Sequence, residues 1–421
     1  MTVALIVLLS LLAAGWVALW LSPAHRVGFR EVLDADASAS AAADPAALPR
    51  VTVMAPARNE AGVLPETVPT YCGQSYPNLA VVVVDDQSDD ATPAVLERLR
   101  AEHPGLRVVR TAERPAGWVG KTWAVASGVE AVRAAGGPAD AGTVPGPGPD
   151  EVYVFTDADC AFHPNAVATV VRVMRERDAD LLSVLPRMQF GPACEKLGLP
   201  GLVTVLSMVF PLGKVNDPAS PLALAAGGFI AVKRSAYERA GGHEAVRHHV
   251  VEDVNLARLV KQSGGRLDTR LTRDLVSTRM YDGWGEMWEG LSKNAYAGMD
   301  FQPRKFWVGL VVGTLMMVLP PVYLLGTGAW VLAGLLTNTP TPLGWVAFVL
   351  SIVVVAAQAA VHGRTTRHMG LPAYHALLMP ASVAFYLTVA CASAYQHHFR
   401  GGTVWKGRKC LAVAPAAEAG S

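Results

Sequence analysis

The sequence predicts an α/β domain with a mostly parallel central sheet, together with an N-terminal transmembrane helix and a C-terminal transmembrane helical region. Three observations lead to this prediction. Short apolar runs alternate with helical stretches through the middle of the chain, which is typical of βα units in a parallel sheet. Acidic residues follow directly after several of those runs. Long uncharged apolar segments precede and follow the domain, and such segments span membranes.

The N-terminal apolar segment is VALIVLLSLLAAGWVALWLS, from Val3 to Ser22. It has about the length needed to cross roughly 30 Å of hydrocarbon. A signal peptide is the alternative, but no Lys or Arg precedes the run and the run is longer than a usual signal core. We predict a transmembrane anchor over residues 1–24 and a linker over residues 25–48.

The C-terminal third contains three further apolar runs. They cover Phe306 to Leu336, Leu343 to Val361 and Leu371 to Tyr395, and prolines interrupt the first and the last. We predict a transmembrane region over residues 304–396 and a basic tail over residues 397–421.

Residues 283–303 lie between the α/β domain and the membrane region. Trp284, Met287, Trp288 and Leu291 recur near the helical period, which predicts an amphipathic helix. Such a helix lies in the headgroup layer, where Trp is favoured, or packs on the α/β domain. The pattern supports both positions equally.

Basic residues indicate which side of the membrane holds the α/β domain. Arg26 and Arg30 follow the first apolar segment, and Arg304 and Lys305 precede the second. Because cytoplasmic loops carry an excess of Lys and Arg, we predict a multi-pass protein of the cell membrane with a cytoplasmic α/β domain.

The same rule leads to a conflict at the C-terminus. Arg364 and Arg367 suggest a cytoplasmic loop, and the basic tail also suggests the cytoplasm. One crossing by the last apolar run would instead place the tail outside. Either a proline-broken segment is re-entrant or one basic cluster is misleading.

The composition argues against some classes of function. The formal net charge of +1 over 421 residues gives no general attraction to nucleic acid, so we expect no nucleic-acid partner. The five cysteines are scattered without metal-ligand spacing. They argue against a zinc site or a disulfide framework and favour a reducing compartment.

The α/β domain is predicted over residues 49–282. Four segments read as buried strands with polar ends: RVTVMAPARNE, LAVVVVDDQSDD, LRVVRT and EVYVFTDADC. In parallel sheets, ligands bind beyond the carboxyl ends of the strands. The polar residues at those ends are Asn59, Glu60, Asp85, Asp86, Asp157 and Asp159. No G-x-G-x-x-G follows the first strand, which disfavours a dinucleotide-dependent dehydrogenase.

Asp157 and Asp159 form a D-x-D pair after the fourth strand. In extended backbone these two side chains would project the same way, and two close carboxylates repel unless a cation lies between them. Mg²⁺ or Mn²⁺ suits such oxygen ligands and also binds substrate phosphates. The alternative is that both are turn or helix-capping residues, since Asp favours both positions.

A second acidic pair, Glu252 and Asp253, opens the amphipathic segment EDVNLARLVKQSGG. Acidic residues at a helix start are ordinary partners of the helix dipole. The functional alternative is a general base that accepts a proton from an attacking hydroxyl.

Six motifs occur in an order that a known family shows: APARNE, VVDDQSDDAT, GWVGKTWA, FTDADC, AAGGFIAVKRSAYERAGG and VEDVNLARLVKQSG. Over about residues 50–280 the chain resembles the family 2 glycosyltransferases, which have the GT-A fold. GWVGKTWA, VNDP and WKGR are similar to motifs of a membrane-bound subgroup, the hopene-associated and carotenoid glycosyltransferases. The resemblance implies a GT-A nucleotide-diphospho-sugar transferase domain.

The resemblance also implies roles for individual residues. It implies that Asp253 is the catalytic base, and that Asp157 and Asp159 hold Mg²⁺ or Mn²⁺. Residues at the strand ends and in nearby loops would bind the nucleotide-sugar donor: Pro56, Arg58, Glu60, Asp85, Asp86, Lys121, Asp157, Gly227 and Gly228.

The implied activity is transfer of a sugar, with inversion at the anomeric carbon, from a nucleotide-diphosphate donor to a membrane lipid. A UDP-sugar is the expected donor, and a hopanoid or a carotenoid is the expected kind of acceptor. Alternatives are a processive polysaccharide synthase, a polyprenyl-phosphate sugar transferase, and a catalytically silent membrane scaffold of the same fold. The Q-x-x-R-W motif of processive synthases does not occur at the corresponding position, which disfavours chain extension.

Overall fold

A computed structural model describes residues 2–36, 48–135, 151–281, 283–405 and 408–410. The predicted linker and the predicted basic tail therefore lie partly outside the described residues. The linker range begins inside a short helix that continues to Arg30, because Pro23 starts a new helical turn directly after the first apolar helix.

The chain forms two compact units, and each is interrupted in sequence. One unit is helical and comprises Met1–Arg30, Phe190–Gly213 and Tyr281–Trp405. The other is an α/β unit and comprises Glu31–Gln189, Lys214–Met280 and Lys406–Ser421. This division differs from the predicted domain over residues 49–282, because Phe190–Gly213 packs with the terminal helices.

The strands are numbered in chain order. They are β1 (Val51–Ala57), β2 (Leu79–Asp85), β3 (Leu106–Arg110), β4 (Val152–Phe155), β5 (Cys160–Phe162), β6 (Leu181–Leu185), β7 (Arg187–Met188), β8 (Ile230–Lys233), β9 (Leu267–Leu271), β10 (Val276–Thr278), β11 (Thr403–Trp405) and β12 (Arg408–Cys410).

The α-helices are numbered in the same way. They are α1 (Thr2–Leu21), α2 (Pro23–Arg30), α3 (Leu64–Cys72), α4 (Thr92–Glu102), α5 (Gly120–Ala135), α6 (Ala166–Arg177), α7 (Ala193–Val209), α8 (Leu212–Val215), α9 (Arg234–Arg239), α10 (Gly242–Ala245), α11 (Glu252–Gln262), α12 (Trp284–Ala295), α13 (Pro303–Gly313), α14 (Pro320–Leu336), α15 (Pro342–His368) and α16 (Met379–Arg400). Short 3₁₀ segments cover Ala297–Met299 and Ala373–Leu378, and a π-helical turn covers Thr314–Val318.

The central sheet of the α/β unit has seven strands in the order β3-β2-β1-β4-β8-β6-β9. The neighbours from β3 to β4 are parallel, and so are β6 and β9. Strand β8 is antiparallel to both β4 and β6. A smaller sheet has the order β5-β10-β7. The predicted α/β class with a mostly parallel central sheet is therefore confirmed.

Side chains of the central strands are buried on both faces of the sheet. Val53 and Val83 belong to one apolar cluster, whereas Met54 and Val84 belong to a second cluster. Because alternate side chains enter opposite faces, both faces of a strand must be apolar. This explains why β2 reads as an unbroken run of valines and carries no polar alternation.

The helical unit contains helices that are long and apolar enough to cross a membrane. Thr2–Leu21, Pro342–His368 and Ala373–Arg400 meet this description individually. Pro303–Val318 and Pro320–Leu336 meet it as a pair, with a bend of 46° between them. The bend lies at the π-helical turn and Pro320, where a proline cannot continue the hydrogen-bond ladder. The predicted N-terminal and C-terminal apolar helices are thus present as candidate spans.

Helix α7 packs on α16 through small residues. Gly201 N donates to Ser382 Oγ at 2.7 Å. A Cβ atom at Gly198 would lie 2.7 Å from the Phe385 ring, and one at Gly201 would clash with the Ser382 hydroxyl. The close approach of the two helices therefore depends on these glycines.

Candidate active site

The carboxyl ends of three neighbouring strands form one edge of the large sheet. Strand β1 pairs in parallel with β2 on one side and with β4 on the other. Residues that follow these strands therefore leave the sheet at the same edge. The polar residues predicted at the strand ends share this edge.

Lys121, in the first turn of α5, lies between two carboxylates. Its Nζ atom is 2.6 Å from Asp157 Oδ1 and 2.7 Å from Glu252 Oε1. Burial alone would lower the pKa of Lys121, but attraction to Asp157, Glu252 and Asp253 raises that pKa well above its usual value. The ammonium group is therefore charged, and it links the loop after β4 to the start of α11.

Asp157 and Asp159 lie in a turn, not in the extended backbone that we assumed from the sequence. The Cys160 N–H donates to Asp157 O at 3.2 Å and closes this turn before β5. The two carboxylates nevertheless interact. Burial, and then repulsion from Asp157 and Glu60, raises the pKa of Asp159 to about 7. Negative charge is thus concentrated where the D-x-D pair was predicted to bind a cation.

Whether these residues fit a divalent cation depends on their donor atoms. Asp157 and Asp159 offer carboxylate oxygens, which Mg²⁺ and Mn²⁺ prefer. Within the described residues, no group of three or more His, Cys, Asp or Glu side chains is arranged to hold a metal ion. The pair therefore fits a cation that takes its other ligands from water and phosphate oxygens, as Mg²⁺ usually does.

Asp253, the second residue of α11, is held by two backbone donors. The Gly227 N–H donates to Oδ2 at 3.0 Å, and the Val254 N–H donates to Oδ1 at 2.8 Å. Burial, and then repulsion from Glu252, raises the pKa of Asp253 to about 6 against the attraction of Lys121. A carboxylate that is fixed in position and has a pKa near neutrality is suited to accept a proton.

Gly227 and Gly228 lie where there is no space for a side chain. A Cβ atom at Gly227 would lie 2.6 Å from Lys121 Nζ and 3.1 Å from Asp157 Oδ2. One at Gly228 would overlap Pro186 and lie 3.0 Å from Cys160 Sγ. The two glycines allow the turn before β8 to approach the charged residues closely.

The other predicted donor-binding residues form a network in the loops after β1 and β2. Arg58 Nη1 donates to the carbonyl oxygens of Asp86 and Gln87 at 2.8 and 2.6 Å. The buried Asp85 carboxylate accepts from Ser88 N–H at 2.9 Å. These contacts fix the shape of the loops.

Pro56 and Glu60 connect this loop network to the charged residues. Pro56 lines a small cavity together with Lys121, Gly227 and Asp253. Glu60 contributes to the raised pKa of Asp159. The structure thus brings Lys121, Asp157, Gly227 and Asp253 into one connected group, with Pro56 at the same cavity.

Two residues of this region were missed from the sequence. Glu252 is buried and forms the second ion pair of Lys121, although the sequence suggested a dipole partner or a general base and no contact with Lys121. His243 lines the same cavity, and its Nδ1 is 3.0 Å from the Tyr237 hydroxyl. Burial lowers the pKa of His243 to about 3, so its ring is neutral. Nothing in the surrounding GGHE sequence distinguished this histidine.

The family resemblance is supported by comparison with known proteins. Residues 52–240 match the model of the family described as Glycosyl transferase family 2. The prediction of a family 2 glycosyltransferase domain is confirmed for this segment.

Individual relatives match over shorter or more distant regions. A beta-monoglucosyldiacylglycerol synthase of Synechocystis is 44% identical over 64 residues, which are 15% of this chain and 13% of the relative. A 4,4'-diaponeurosporenoate glycosyltransferase of Staphylococcus haemolyticus is 24% identical over 254 residues, which are 59% of this chain and 61% of the relative. The chain therefore spans less than two thirds of the length of each.

Among solved structures, a mannosyltransferase of Pyrobaculum calidifontis is 21% identical with a TM-score of 0.45. The match covers 83% of this chain and 97% of that one.

Proposed function

We propose that the chain is a membrane-bound, inverting glycosyltransferase that moves a sugar from a nucleotide-diphosphate donor, a UDP-sugar, to a lipid acceptor. The observation that carries this proposal is the connected group of Lys121, Asp157, Glu252 and Asp253 at the carboxyl edge of the sheet. It combines one fixed cation with a carboxylate of raised pKa, inside a domain of the glycosyltransferase family.

Asp253 is the proposed catalytic base. Its two oxygens are oriented by the Gly227 and Val254 N–H groups, so the carboxylate need not reorganise to face an acceptor hydroxyl. Asp253 would take the proton of that hydroxyl as the hydroxyl oxygen attacks the anomeric carbon. The bond from that carbon to the diphosphate oxygen breaks in the same displacement, which inverts the configuration.

The departing nucleoside diphosphate needs positive charge. Lys121 supplies one charge from the protein and stays protonated because of its acidic neighbours. Asp157 and Asp159 would hold Mg²⁺ or Mn²⁺, which when bound neutralises charge on the diphosphate. Pro56, Arg58 and Glu60 in the first loop, Asp85 and Asp86 after β2, and Gly227 and Gly228 before β8 complete the proposed donor site.

The proposed acceptor is a lipid. Two observations support it: the helical unit contains candidate spans, and the names of two relatives refer to a glycosylated diacylglycerol and to diaponeurosporenoate. A hopanoid or a carotenoid is the acceptor class we propose. The alternatives remain a processive synthase, a polyprenyl-phosphate sugar transferase and a catalytically silent scaffold.

We also propose that the protein crosses the cell membrane three times, through α1, the bent pair of α13 and α14, and α15. The end of α15 lies beside the end of α1, because Arg364 Nη2 donates to Trp20 O at 2.5 Å. The break between α13 and α14 lies beside both helices: Trp16 Nε1 donates to Met316 O, and Gln358 Nε2 donates to Met317 O. Helix α14, with 17 residues, is about 25 Å long at roughly 1.5 Å per residue, so part of α13 is needed to cover roughly 30 Å of hydrocarbon.

The last apolar run would not cross the membrane in this arrangement, and its helix α16 would have both ends on one side. Near its start, Ala376 packs against Gly363 at the end of α15. Near its end, the ring of His397 stacks on Phe301, at 4.6 Å, just before α13. The end of α15 and the start of α13 both carry basic residues, which favours the cytoplasm for both. Both ends of the last run would then lie on the cytoplasmic side, and the tail and the α/β unit would both be cytoplasmic.

The test of the proposed function is a transfer assay with membranes that contain the full chain. Membranes are incubated with labelled nucleotide sugars, and labelled lipids are identified by mass spectrometry. We expect one sugar on one lipid class. A ladder of products would support a processive synthase, and a labelled polyprenyl phosphate would support the second alternative. If no sugar is transferred, and UDP with Mn²⁺ does not raise the melting temperature, the scaffold alternative is supported.

A further inference from the structure

Two arginine pairs from opposite ends of the sequence meet in the helical unit. Arg26 and Arg30 lie on α2, whereas Arg364 and Arg367 lie at the end of α15. Arg364 is close enough to the other three guanidinium groups to be repelled by all of them. We refer to these four residues as the arginine cluster.

One half of the arginine cluster is held in place by the end of α1. The carbonyl oxygen of Trp20 accepts from Arg26 Nε at 3.0 Å and from Arg364 Nη2 at 2.5 Å. Both guanidinium groups also lie over the Trp20 indole, 5.3 and 5.8 Å from its centre. Arg364 Nη1 is 3.2 Å from His25 Nδ1. These partners orient the two arginines but supply no negative charge.

The other half of the arginine cluster is free to bind an anion. Arg30 and Arg367 are exposed, and neither side chain forms a hydrogen bond or an ion pair within the described residues. Residues 1–30 and 301–417 contain no Asp or Glu, and Glu31, which directly follows Arg30, is paired with Arg270 at 2.8 Å. Arg364 is repelled by the other three guanidinium groups, and an anion among them would offset that repulsion.

We propose that the arginine cluster binds the phosphate of an anionic membrane phospholipid. Guanidinium groups match phosphate oxygens in pairs, so Arg suits this ligand better than a point charge would. Trp20 lies at the end of a candidate span, and Trp is favoured where headgroups begin. Juxtamembrane clusters of basic residues attract anionic lipids. This inference rests on the proposed membrane position of α1 and α15, but not on the sugar chemistry.

Lipid binding to the detergent-purified full chain tests this proposal. Phosphatidylglycerol, phosphatidylcholine and soluble glycerol phosphate are added separately. Native mass spectrometry counts retained lipids, and thermal unfolding reports stabilisation. We expect phosphatidylglycerol to be retained and to raise the melting temperature, and we expect the other two to do neither.

The variant Arg30→Gln/Arg367→Gln removes the two free guanidinium groups without breaking a contact in the described structure. We expect its affinity for phosphatidylglycerol to fall by about tenfold or more, which corresponds to ~1.4 kcal/mol. The matched control, Arg98→Gln/Arg100→Gln, removes the same charge from the exposed face of α4 and should bind phosphatidylglycerol like the unaltered chain.

Several outcomes would overturn the proposal. Equal retention of phosphatidylcholine would show that lipid binding does not depend on the net charge of the headgroup. Equal stabilisation by glycerol phosphate would assign the site to a soluble phosphate. Unchanged phosphatidylglycerol binding in the double variant would exclude the arginine cluster. Release of the chain from membranes by alkaline carbonate would instead overturn the membrane arrangement. Sugar transfer is measured separately, so none of these results decides whether the chain transfers a sugar.

Discussion

Asp253 depends on its neighbours for the properties of a base. An isolated aspartate is too weakly basic to compete for a hydroxyl proton at neutral pH. Burial and the adjacent Glu252 raise the pKa of Asp253, while Lys121 keeps that rise moderate. The same ammonium group joins Asp157 to Glu252. One lysine thus connects the proposed donor side of the site with the proposed base.

The raised pKa of Asp253 predicts how activity depends on pH. The base must be unprotonated, and its pKa is about 6. As the pH falls below about 6, kcat/KM should fall roughly tenfold per pH unit, because kcat/KM reports the free enzyme. The measurement is kcat/KM for sugar transfer between pH 4.5 and 8. A profile that stays flat down to pH 4.5 would contradict the assignment of Asp253.

Gly227 provides a second prediction at the residue scale. In Gly227→Ala the new methyl group would lie 2.6 Å from Lys121 Nζ, so the ammonium group must move away from Asp157. Such overpacking costs about 1–3 kcal/mol, and we expect UDP affinity in the presence of Mn²⁺ to fall by roughly ten- to a hundredfold. Isothermal titration calorimetry measures the UDP affinity.

The matched control for this change is Gly105→Ala. No atom lies within 4 Å of a Cβ at Gly105, so UDP should bind this variant as it binds the unaltered chain. Equal UDP affinity of all three proteins would show that the closeness of Gly227 to Lys121 has no role in donor binding.

At the scale of elements, strands were easier to predict than the turns that follow them. The apolar runs of β1, β2 and β4 indicated a parallel sheet, because strands that are buried on both faces have continuous apolar sequences. The turn that carries Asp157 and Asp159 was not predicted. Its conformation depends on β5 and on β10, which pairs with β5, and those contacts come from distant sequence.

Helix α7 was also missed, for a different reason. Its sequence lies inside the segment that we predicted as one domain, and it carries Glu195 and Lys196. Its membership of the helical unit follows from glycines that face α16, and a hydropathy pattern does not reveal such packing. The predicted domain bounds, which follow position along the chain, do not separate this element from its neighbours in sequence.

The packing of α7 on α16 predicts the effect of Gly201→Ala. The added methyl group would meet the Ser382 hydroxyl and lie 2.8 Å from the Ser382 carbonyl carbon, so backbone must shift. We expect a loss of about 1–3 kcal/mol in stability. Thermal unfolding in detergent micelles measures this loss of stability as a lower melting temperature. Gly309→Ala is the control, because no atom lies within 4 Å there and alanine favours a helix. Equal melting temperatures for the two variants would contradict the close packing.

At the scale of the whole molecule, the sequence predicted the kinds of segment better than their grouping. Hydropathy located the apolar runs, since an uncharged apolar run of this length is typical of a membrane-spanning helix. It left the side of the tail undecided, because a count of runs does not distinguish a crossing from a re-entrant segment. Contacts of both ends of the last run are the basis on which we propose that it does not cross.

The three-crossing arrangement predicts the result of reporter fusions in a bacterial host. A green fluorescent protein fused after Ser421 should fluoresce, because the tail is cytoplasmic. Alkaline phosphatase fused after Asn338, between α14 and α15, should be active because that loop is outside. The reverse fusions at both sites serve as controls. An active phosphatase after Ser421 would show a fourth crossing and would contradict the re-entrant segment.

The most direct test of the account compares chemistry and donor binding in Asp253→Asn. The amide keeps the size of the side chain but cannot accept the proton. We predict that sugar transfer by the purified full chain falls by at least about a hundredfold. We predict that its UDP affinity with Mn²⁺ stays within about threefold of the unaltered chain, a difference of less than ~0.7 kcal/mol. Transfer near the unaltered rate would contradict the account.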